Sequence, residues 1–162
     1  MASFSIHPAD DLIPQGLVGL AVTAEAEGIR IVTAVIDGWR NGTQRYELPG
    51  ECLLAATDRT GSAVGIGGLS RCPHVAGAYR VRRFYVDPQW RHHGVARTLA
   101  KQLIDLGFDH SDTLTCNAGA SDAAVPFWET MGFVPSGRAE ITHTRTRQTL
   151  ARRRSRPVTS SP

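Results

Sequence analysis

The chain has little cysteine and no long apolar run. Its 162 residues include only Cys52, Cys72 and Cys116, which are odd in number, far apart and not arranged as Cys-x-x-Cys. Structural thiols in a reducing compartment are therefore a better interpretation than a disulfide framework. No apolar segment approaches the ~20 residues of a membrane span, and the N-terminus lacks the basic-then-apolar pattern of a signal peptide. We expect a cytoplasmic protein without a membrane partner.

Motifs of two common enzyme classes are also missing. The sequence has no Gly-x4-Gly-Lys-Ser/Thr, which argues against a P-loop nucleotide kinase. His92 and His93 are adjacent, so on an extended strand they would face opposite ways, and no His-x3-His or cysteine cluster supports them as metal ligands. We expect no metal site and interpret the two histidines as phosphate donors or surface residues.

The composition fits one ordinary domain with basic charge segregated at its end. Hydrophobic residues make up 41% of the chain and charged residues 20%, which is normal for a globular protein. Residues 145–162 hold six of the 18 basic residues and no acid, so residues 1–144 carry 12 basic against 15 acidic groups. We expect a single domain over 1–144 and an Arg-rich, disordered tail over 145–162. Weak contacts of the tail with nucleic acid, or an oligomer contact in a homodimer, stay open.

Hydrophobic periodicity predicts an alternating α/β order without internal repeats. A first strand over 3–7 precedes a helix that Asp10 and Asp11 would cap, and a second helix covers 31–39. The later elements follow from apolar alternation, amphipathic spacing and turn signals. They are strands over 52–56, 63–69, 79–86, 114–117, 133–134 and 139–144, and helices over 94–108 and 123–131.

The most informative segment joins the end of an apolar strand to a helix through a basic loop, over residues 84–97. A helix start has backbone N–H groups without partners and carries the positive end of the helix dipole, so it suits a phosphate or pyrophosphate. Arg91, His92 and His93 add side-chain donors, and Gly94 lets the backbone approach a ligand closely. The segment is a candidate anion-binding loop.

A second motif follows this loop about 30 residues further along the chain. Residues 91–96 read Arg-His-His-Gly-Val-Ala, and residues 127–133 read Phe-Trp-Glu-Thr-Met-Gly-Phe, with an amphipathic helix and a short strand ending at Asn117 between them. Together these features resemble the GNAT superfamily of acetyl-CoA-dependent N-acetyltransferases. The family's loop signature is Arg/Gln-x-x-Gly-x-Gly/Ala, and its second signature is an aromatic pair ahead of Gly-Phe. The resemblance extends over about residues 3–144.

The resemblance implies an α/β fold of the α+β type. Its central sheet would be mixed and mostly antiparallel, with six to seven strands flanked by about four helices, and its fourth and fifth strands would splay apart. It also implies acetyl-CoA as co-substrate and an amine as acceptor, with direct attack in a ternary complex.

The resemblance further implies where acetyl-CoA binds. The pantetheine arm would pair with the backbone of Phe84, Tyr85 and Val86, and the Val86 N–H would polarise the thioester carbonyl as an oxyanion donor. The pyrophosphate would lie on the basic loop, and the arm would be flanked from the other side by Asn117 and Phe127. The loop residues implied are Arg91, His92, His93, Gly94, Val95, Ala96 and Arg97.

The chain departs from the family where a general acid is expected. The tyrosine often used there falls on Trp128, whose indole does not ionise, and the fourth strand lacks the carboxylate often found on it. Tyr85 and Ser121 are candidate replacement acids. Candidate bases or water-wire members are Glu47, Glu51 and His74. For each of these candidate acids and bases, the alternative is an ordinary polar residue of the surface.

Because that tyrosine is missing, a second class of function stays open. A GNAT-like module that holds acyl-CoA without turnover, as a regulator, would carry the same two motifs. A turnover assay with free-thiol detection across a panel of amines separates an enzyme from such a module.

Arginines on the fourth strand bear on the choice of acceptor. Strict alternation would place Arg83 and Tyr85 on one face of the sheet and Arg82 and Phe84 on the other. An arginine that faces the acceptor would favour a carboxylate or a phosphate on it. The alternative is that these arginines are solvated or paired with acids. Residues 37–50 occupy the region where the family usually builds its acceptor wall.

Overall fold

The computed structural model describes residues 3–119 and 121–147, and within them the chain forms seven strands and four α-helices. Single turns of 3-10 helix occur at Gln15–Leu17 and Pro88–Trp90. The strands are β1 (Ser5–Pro8), β2 (Cys52–Thr57), β3 (Ala63–Arg71), β4 (Tyr79–Val86), β5 (Thr113–Cys116), β6 (Val134–Pro135) and β7 (His143–Thr146). The α-helices are α1 (Val18–Ala26), α2 (Ile31–Asn41), α3 (Val95–Phe108) and α4 (Ala124–Thr130).

One sheet of strand order β1-β2-β3-β4-β5-β7-β6 carries helices on both faces. Its neighbours are antiparallel except β4 and β5, which are parallel. On one face, called here the α3 face, Leu99 and Leu103 of α3 are fully buried against the sheet. On the other, the α1–α2 face, Leu53 and Ile66 pack under α1 and α2. Because helices cover both faces, β2 and β3 are apolar almost throughout. The mixed sheet implied by the resemblance is confirmed.

Strands β4 and β5 separate part-way along β4. They share three parallel pairs, of which the last joins Val81 to Cys116. From Arg82 to Val86, β4 keeps β3 as its neighbour but has no strand on its β5 side among the described residues. The predicted splay is therefore present, and it leaves one edge of β4 without a neighbouring strand. The gap between β4 and β5 is called here the cleft.

A β-bulge in β4 decides which side chains share a face. Between Arg82 and Tyr85 the register with β3 slips by one residue, and Arg83 takes a left-handed φ of 55°. As a result Arg82 and Tyr85 both lie on the α1–α2 face, while Phe84 packs on the α3 face. The predicted sharing of one face by Arg82 and Phe84 is wrong, because it assumed strict alternation through the bulge.

Most predicted elements are confirmed, with differences at both ends of the chain. Helix α1 begins only at Val18, after turns and a 3-10 segment, so Asp10 and Asp11 do not cap it. Proline at 14, which lacks an N–H and fixes its own φ, fits this late start. No helix among residues 3–119 and 121–147 combines the length and the apolar character needed to cross a bilayer.

The last strand lies further along the chain than predicted. It covers His143–Thr146 instead of 139–144, because Ile141 turns away to join a small buried cluster with Cys72 and Ala78. The strand's last two residues, which the sequence assigned to the tail, pair with β5. Residues 148–162 of the predicted tail lie outside the described residues.

Candidate active site

The loop between β4 and α3 presents a row of backbone N–H groups without acceptors. His92 and Gly94 take left-handed φ values of 65° and 84°, which turns the chain into the helix. Within the described part of the chain, the N–H groups of residues 92–97 have no hydrogen-bond partner, and the first bonded N–H is that of Thr98, which donates to the Gly94 carbonyl at 3.0 Å. Such a row at the positive end of a 14-residue helix can take the oxygens of an anion.

Side chains of this loop divide between solvent and core. Four basic or ring-nitrogen side chains of this loop are exposed: Arg91, His92, His93 and Arg97. The side chain of Val95 is buried in the α3 core, and Ala96 is half-buried. These last two residues therefore offer only their backbone.

Arg91 is held by a carboxylate at the end of α1. Its two terminal nitrogens donate to the two Glu27 carboxylate oxygens at 2.8 and 2.7 Å, and its Nε donates to the Val86 carbonyl at 3.3 Å. The Tyr85 hydroxyl donates to the same carboxylate at 2.6 Å, beneath the Arg91 guanidinium. These donors hold the pKa of Glu27 below its usual range, Arg91 having the larger effect.

This network changes the expected role of two predicted site residues. Burial first, and then the Glu27 carboxylate, raise the pKa of Tyr85 far above its usual range, which disfavours it as a proton donor. The Arg91 guanidinium is bound to Glu27, so its side chain ties the loop to α1. Contact of Arg91 with a pyrophosphate stays a prediction.

The backbone of β4 directs Val86 toward the cleft. The Asp87 N–H donates to the Val64 carbonyl of β3 at 2.8 Å. Since successive N–H groups of a strand point to opposite sides, the Val86 N–H points away from β3 and into the splay. The side chain of Val86 is itself buried in the α3 core, so any role of this residue is carried by its backbone.

An aromatic cluster lines the α3 face of the cleft. The Phe84 ring of β4 lies 5.6 Å from Phe127 and 5.0 Å from Trp128, both on α4. Trp128 also meets Phe133 edge-on at 5.4 Å and is 5% exposed. Phe84 and Phe127 are thus brought together as predicted neighbours of one cleft, and Trp128 is a core residue.

The other predicted site residues are more scattered. Asn117 is exposed beyond the end of β5, where its side-chain oxygen accepts from the Gly119 N–H at 3.0 Å, and Ser121 is exposed just before α4. Glu47 and His74 are exposed on separate loops, and a Glu51 carboxylate oxygen accepts from the Arg71 N–H. Among the described residues, no hydrogen bond links any of these side chains to β4 residues 84–86.

Two residues of the site region, Glu27 and Tyr46, were not identified from the sequence. Glu27 lies 64 positions before its partner Arg91, so no local pattern connects the two. Tyr46 is 8% exposed and packs against β3 at Gly68. For Tyr46 a signal existed, because paired glycines inside a strand often mark the close approach of another group.

Comparisons with known proteins agree with this geometry. The sequence model of a family described as "Acetyltransferase (GNAT) domain" matches residues 21–145. The chain therefore belongs to the GNAT acetyltransferase family, and its class of activity is acyl transfer from an acyl-CoA. A search of curated proteins gives no match.

Solved structures show the same fold at low sequence identity. A protein of Exiguobacterium sp. 255-15, assigned as an acetyltransferase, has a TM-score of 0.82 at 24% identity, covering 93% of this chain and 98% of that one. A GNAT-family acetyltransferase of Staphylococcus aureus Mu50 has a TM-score of 0.68 at 15% identity, covering 89% and 99%. An acetyltransferase of Streptococcus agalactiae 2603 has a TM-score of 0.69 at 15% identity, covering 88% and 98%.

The Glu27 carboxylate gives a test of how the loop is held. Replacing it in Glu27→Gln should lower the free energy of unfolding by about 1 kcal/mol near pH 7, a modest value because the pair is partly exposed. Since folding lowers the pKa of Glu27, its contribution is present above the unfolded-state pKa of ~4.3 and is lost as pH falls through the folded-state pKa. Urea unfolding of both proteins at a series of pH values measures the difference.

Glu25→Gln is the matched control for this variant. Glu25 lies in the last turn of α1, two residues before Glu27, and makes a 3.7 Å ion pair with a largely exposed Arg30 and an exposed hydrogen bond with Thr33. Both contacts are kept or weakly affected in Glu25→Gln, so stability should change by less than ~0.5 kcal/mol. A difference between wild type and Glu27→Gln that stays constant well below pH ~4 would show that packing, and not the charge pair, stabilises this junction.

Proposed function

We propose that the chain is an N-acetyltransferase that moves an acetyl group from acetyl-CoA to an amine by direct attack in a ternary complex. The observation that carries the proposal is the continuity of the unpaired β4 edge with the loop of free N–H groups. Val86 directs its N–H into the cleft, and within about ten residues the chain offers the N–H row at the start of α3. Acetyl-CoA contains both a thioester and a pyrophosphate. One bound molecule would therefore use the Val86 N–H for the thioester and the N–H row for the pyrophosphate.

The residues present fit acetyl-CoA. Of the predicted contacts at Phe84, Tyr85 and Val86, the Val86 N–H at the unpaired edge of β4 is free for an amide-containing arm, whereas Tyr85 pairs with Ile66 of β3. The exposed basic residues of the loop suit phosphates. When bound, acetyl-CoA would supply an activated acyl group as a thioester. The Val86 N–H is the donor aimed at the place where negative charge would develop on the acyl oxygen.

Direct attack is supported by the state of the cysteines. A route through an acyl-cysteine would need an accessible thiolate. Burial raises the pKa of Cys52 to about 11 and that of Cys116, which ends β5 at the splay, to about 12. Cys72 is buried in the small cluster under Ile141. None of the three thiols suits a nucleophile near neutral pH.

The proton leaving the amine and the proton taken up by the CoA thiolate would be transferred by solvent or by residues that line the cleft. A primary amine of pKa ~10.4 is uncharged in roughly one molecule in 2,500 at pH 7, so turnover should rise with pH until the acceptor itself titrates. Ser121 stays a candidate acid, and the candidate bases or water-wire members stay Glu47, Glu51 and His74. A thiolate with a pKa of ~8.5 is a tolerable leaving group, and general acid help is typically worth 10²–10⁴-fold, so a slow reaction can proceed without it.

Turnover with a panel of amines tests the function. Purified protein, acetyl-CoA and each amine should release free CoA thiol above the rate without amine, and mass spectrometry should show the acetylated amine. Calorimetry with acetyl-CoA and desulfo-CoA is run beside it. Binding of both without thiol release for any amine would favour the alternative, a non-catalytic acyl-CoA-binding module.

A further inference from the structure

We propose that the acceptor carries a carboxylate, which binds to Arg82 and Tyr46 on the α1–α2 face beside the splay. This inference rests on the proposed function and names the class of its substrate: amino acids or closely similar amino carboxylates.

A row of polar side chains crosses the sheet at the point where β4 leaves β5. Ser70 of β3 lies opposite Arg80 of β4, and Arg80 lies beside Thr115 of β5. Their neighbours Leu69, Val81 and Leu114 belong to the α3 core, so alternation places the polar row on the α1–α2 face. Ser70 and Thr115 are buried, and their hydroxyls have no hydrogen-bond partner among the described residues.

Arg82 stands next along β4, on the same face and just past the last β4–β5 pair. Its Nε is fully buried and has no partner in the described structure. Burial, and then the charge of Arg83 beside it, lower the pKa of Arg82. Of the acids in residues 3–119 and 121–147, none lies within ion-pair distance of Arg80, Arg82 or Arg83. The alternative that these arginines are paired with acids is therefore not what the structure shows.

Tyr46 completes the set from the loop after α2. Its ring lies so close to β3 that a side chain at Gly68 would meet the Tyr46 Cε1 at 2.8 Å, and Gly68 is the residue opposite Arg82. Its own backbone has a left-handed φ of 57°. Arg83 lies beside its hydroxyl, yet the phenolic oxygen is buried without a properly oriented hydrogen bond among described residues.

The buried donors of Arg82 and Tyr46 have no acceptors among the described residues, so they suit a ligand that supplies acceptor atoms and negative charge. An arginine Nε can only donate, and a tyrosine hydroxyl can donate, so the group that satisfies both must accept. A buried unpaired donor costs free energy in the unliganded protein. Arg83 and Arg80 repel the Arg82 charge, and Glu51, which attracts it, forms no ion pair with it among the described residues. A planar carboxylate matches the guanidinium fork and its charge. The position also suits an acceptor, because Tyr85 on the same face leads directly to Val86.

The wild-type experiment compares matched amines. Initial rates with acetyl-CoA are measured for the proteinogenic L-amino acids and for the amines obtained by removing each carboxylate, such as lysine against cadaverine. The best amino acid should exceed its decarboxylated partner in kcat/KM by about 100-fold, since a site built for a polar group rejects the analogue without it. β-Alanine against 2-aminoethylphosphonate distinguishes a carboxylate from a phosphate-like group. Equal rates within the pairs, or preference for the phosphonate, would overturn the proposal.

Variants separate recognition from folding. Arg82→Met and Tyr46→Phe should each lose most of the preference for the carboxylate, through KM, while the melting temperature of the free protein stays equal or rises because an unpaired buried donor is removed. Arg82→Lys, which keeps charge without the fork, should fall between. Arg59→Met, on the exposed β2–β3 turn, should change neither quantity. Preference retained in Arg82→Met, or a large drop in melting temperature in both variants, would contradict the assignment.

A binding readout keeps this inference distinct from the proposed function. Calorimetry with N-acetyl-L-amino acids, which carry the carboxylate but need no turnover, should show binding to wild type and about ten-fold weaker binding to Arg82→Met. Absence of turnover with every amine would refute the proposed function, while this titration would still decide the carboxylate site. Equal affinity of both proteins would overturn the site.

Discussion

Replacing Gly94 with aspartate is expected to weaken acetyl-CoA binding by about ten-fold or more, which corresponds to ~1.4 kcal/mol. The aspartate would place a negative charge at the start of α3, where the N–H groups of residues 92–97 have no other acceptor among the described residues. Its carboxylate would repel the phosphates and would itself be attracted to the same N–H groups and helix dipole. Calorimetric titration with acetyl-CoA measures the loss.

The glycine's conformation supplies the control for this prediction. Gly94 has a φ of 84° with nothing within 4 Å of the position that a β-carbon would take, so backbone strain and not space limits the site. Asparagine and aspartate tolerate this conformation better than other side chains and have nearly the same shape. Gly94→Asn therefore carries the strain without the charge, and it should bind acetyl-CoA about ten-fold more tightly than Gly94→Asp.

A second control places the same change elsewhere. Gly61, on the β2–β3 turn, also has a φ of 84° and open space around it. Gly61→Asp should leave acetyl-CoA affinity unchanged while costing similar backbone strain. If Gly94→Asp and Gly94→Asn bound acetyl-CoA equally well, the pyrophosphate could not lie on this loop.

The candidate anion-binding loop could be predicted from the sequence because its free N–H groups depend on local structure. Free N–H groups follow from the start of any helix, and residues 91–96 place basic side chains and a glycine at that start. The splay of β4 from β5 was predicted from the family resemblance, because no residue pattern in this sequence indicates it. The position where pairing stops, at Val81 and Cys116, is known only from the structure.

What the sequence could not give depends on contacts between distant segments. The bulge at Arg83 reverses the face expected for Arg82, and it results from the register of β4 against β3. The pair of Glu27 with Arg91 is likewise a tertiary contact. One such contact was readable in the sequence, because Gly67 and Gly68 are adjacent glycines inside β3. A β-carbon at Gly67 would come within 2.7 Å of a Leu103 methyl group, and only a glycine allows that approach.

The same tertiary packing governs what replacing Trp128 should do. Its ring is 5% exposed and makes edge contacts with Phe84, Phe127 and Phe133 at centroid distances of 5.0, 4.9 and 5.4 Å. Trp128→Ala should lower the free energy of unfolding by about 3–5 kcal/mol, as expected when a large buried aromatic side chain is removed. Urea unfolding measures this loss, and the exposed Val22→Ala, on α1, should cost less than ~0.5 kcal/mol.

Trp128→Phe isolates the chemistry from the packing. The family's usual acid is a tyrosine at this position, and an indole has no ionising proton to give, so we expect Trp128→Phe to keep most of kcat at a saturating acceptor. Tyr85→Phe should also keep most of kcat, because the Tyr85 hydroxyl is bound to Glu27 and its pKa is raised. Steady-state kinetics over about pH 6 to 10 would measure both. A loss of about 100-fold in Trp128→Phe, with acetyl-CoA affinity and stability unchanged, would show that the indole N–H itself assists the departing thiolate. A comparable loss in Tyr85→Phe would instead identify Tyr85 as the substitute donor, and would require that its bond to Glu27 opens during the reaction.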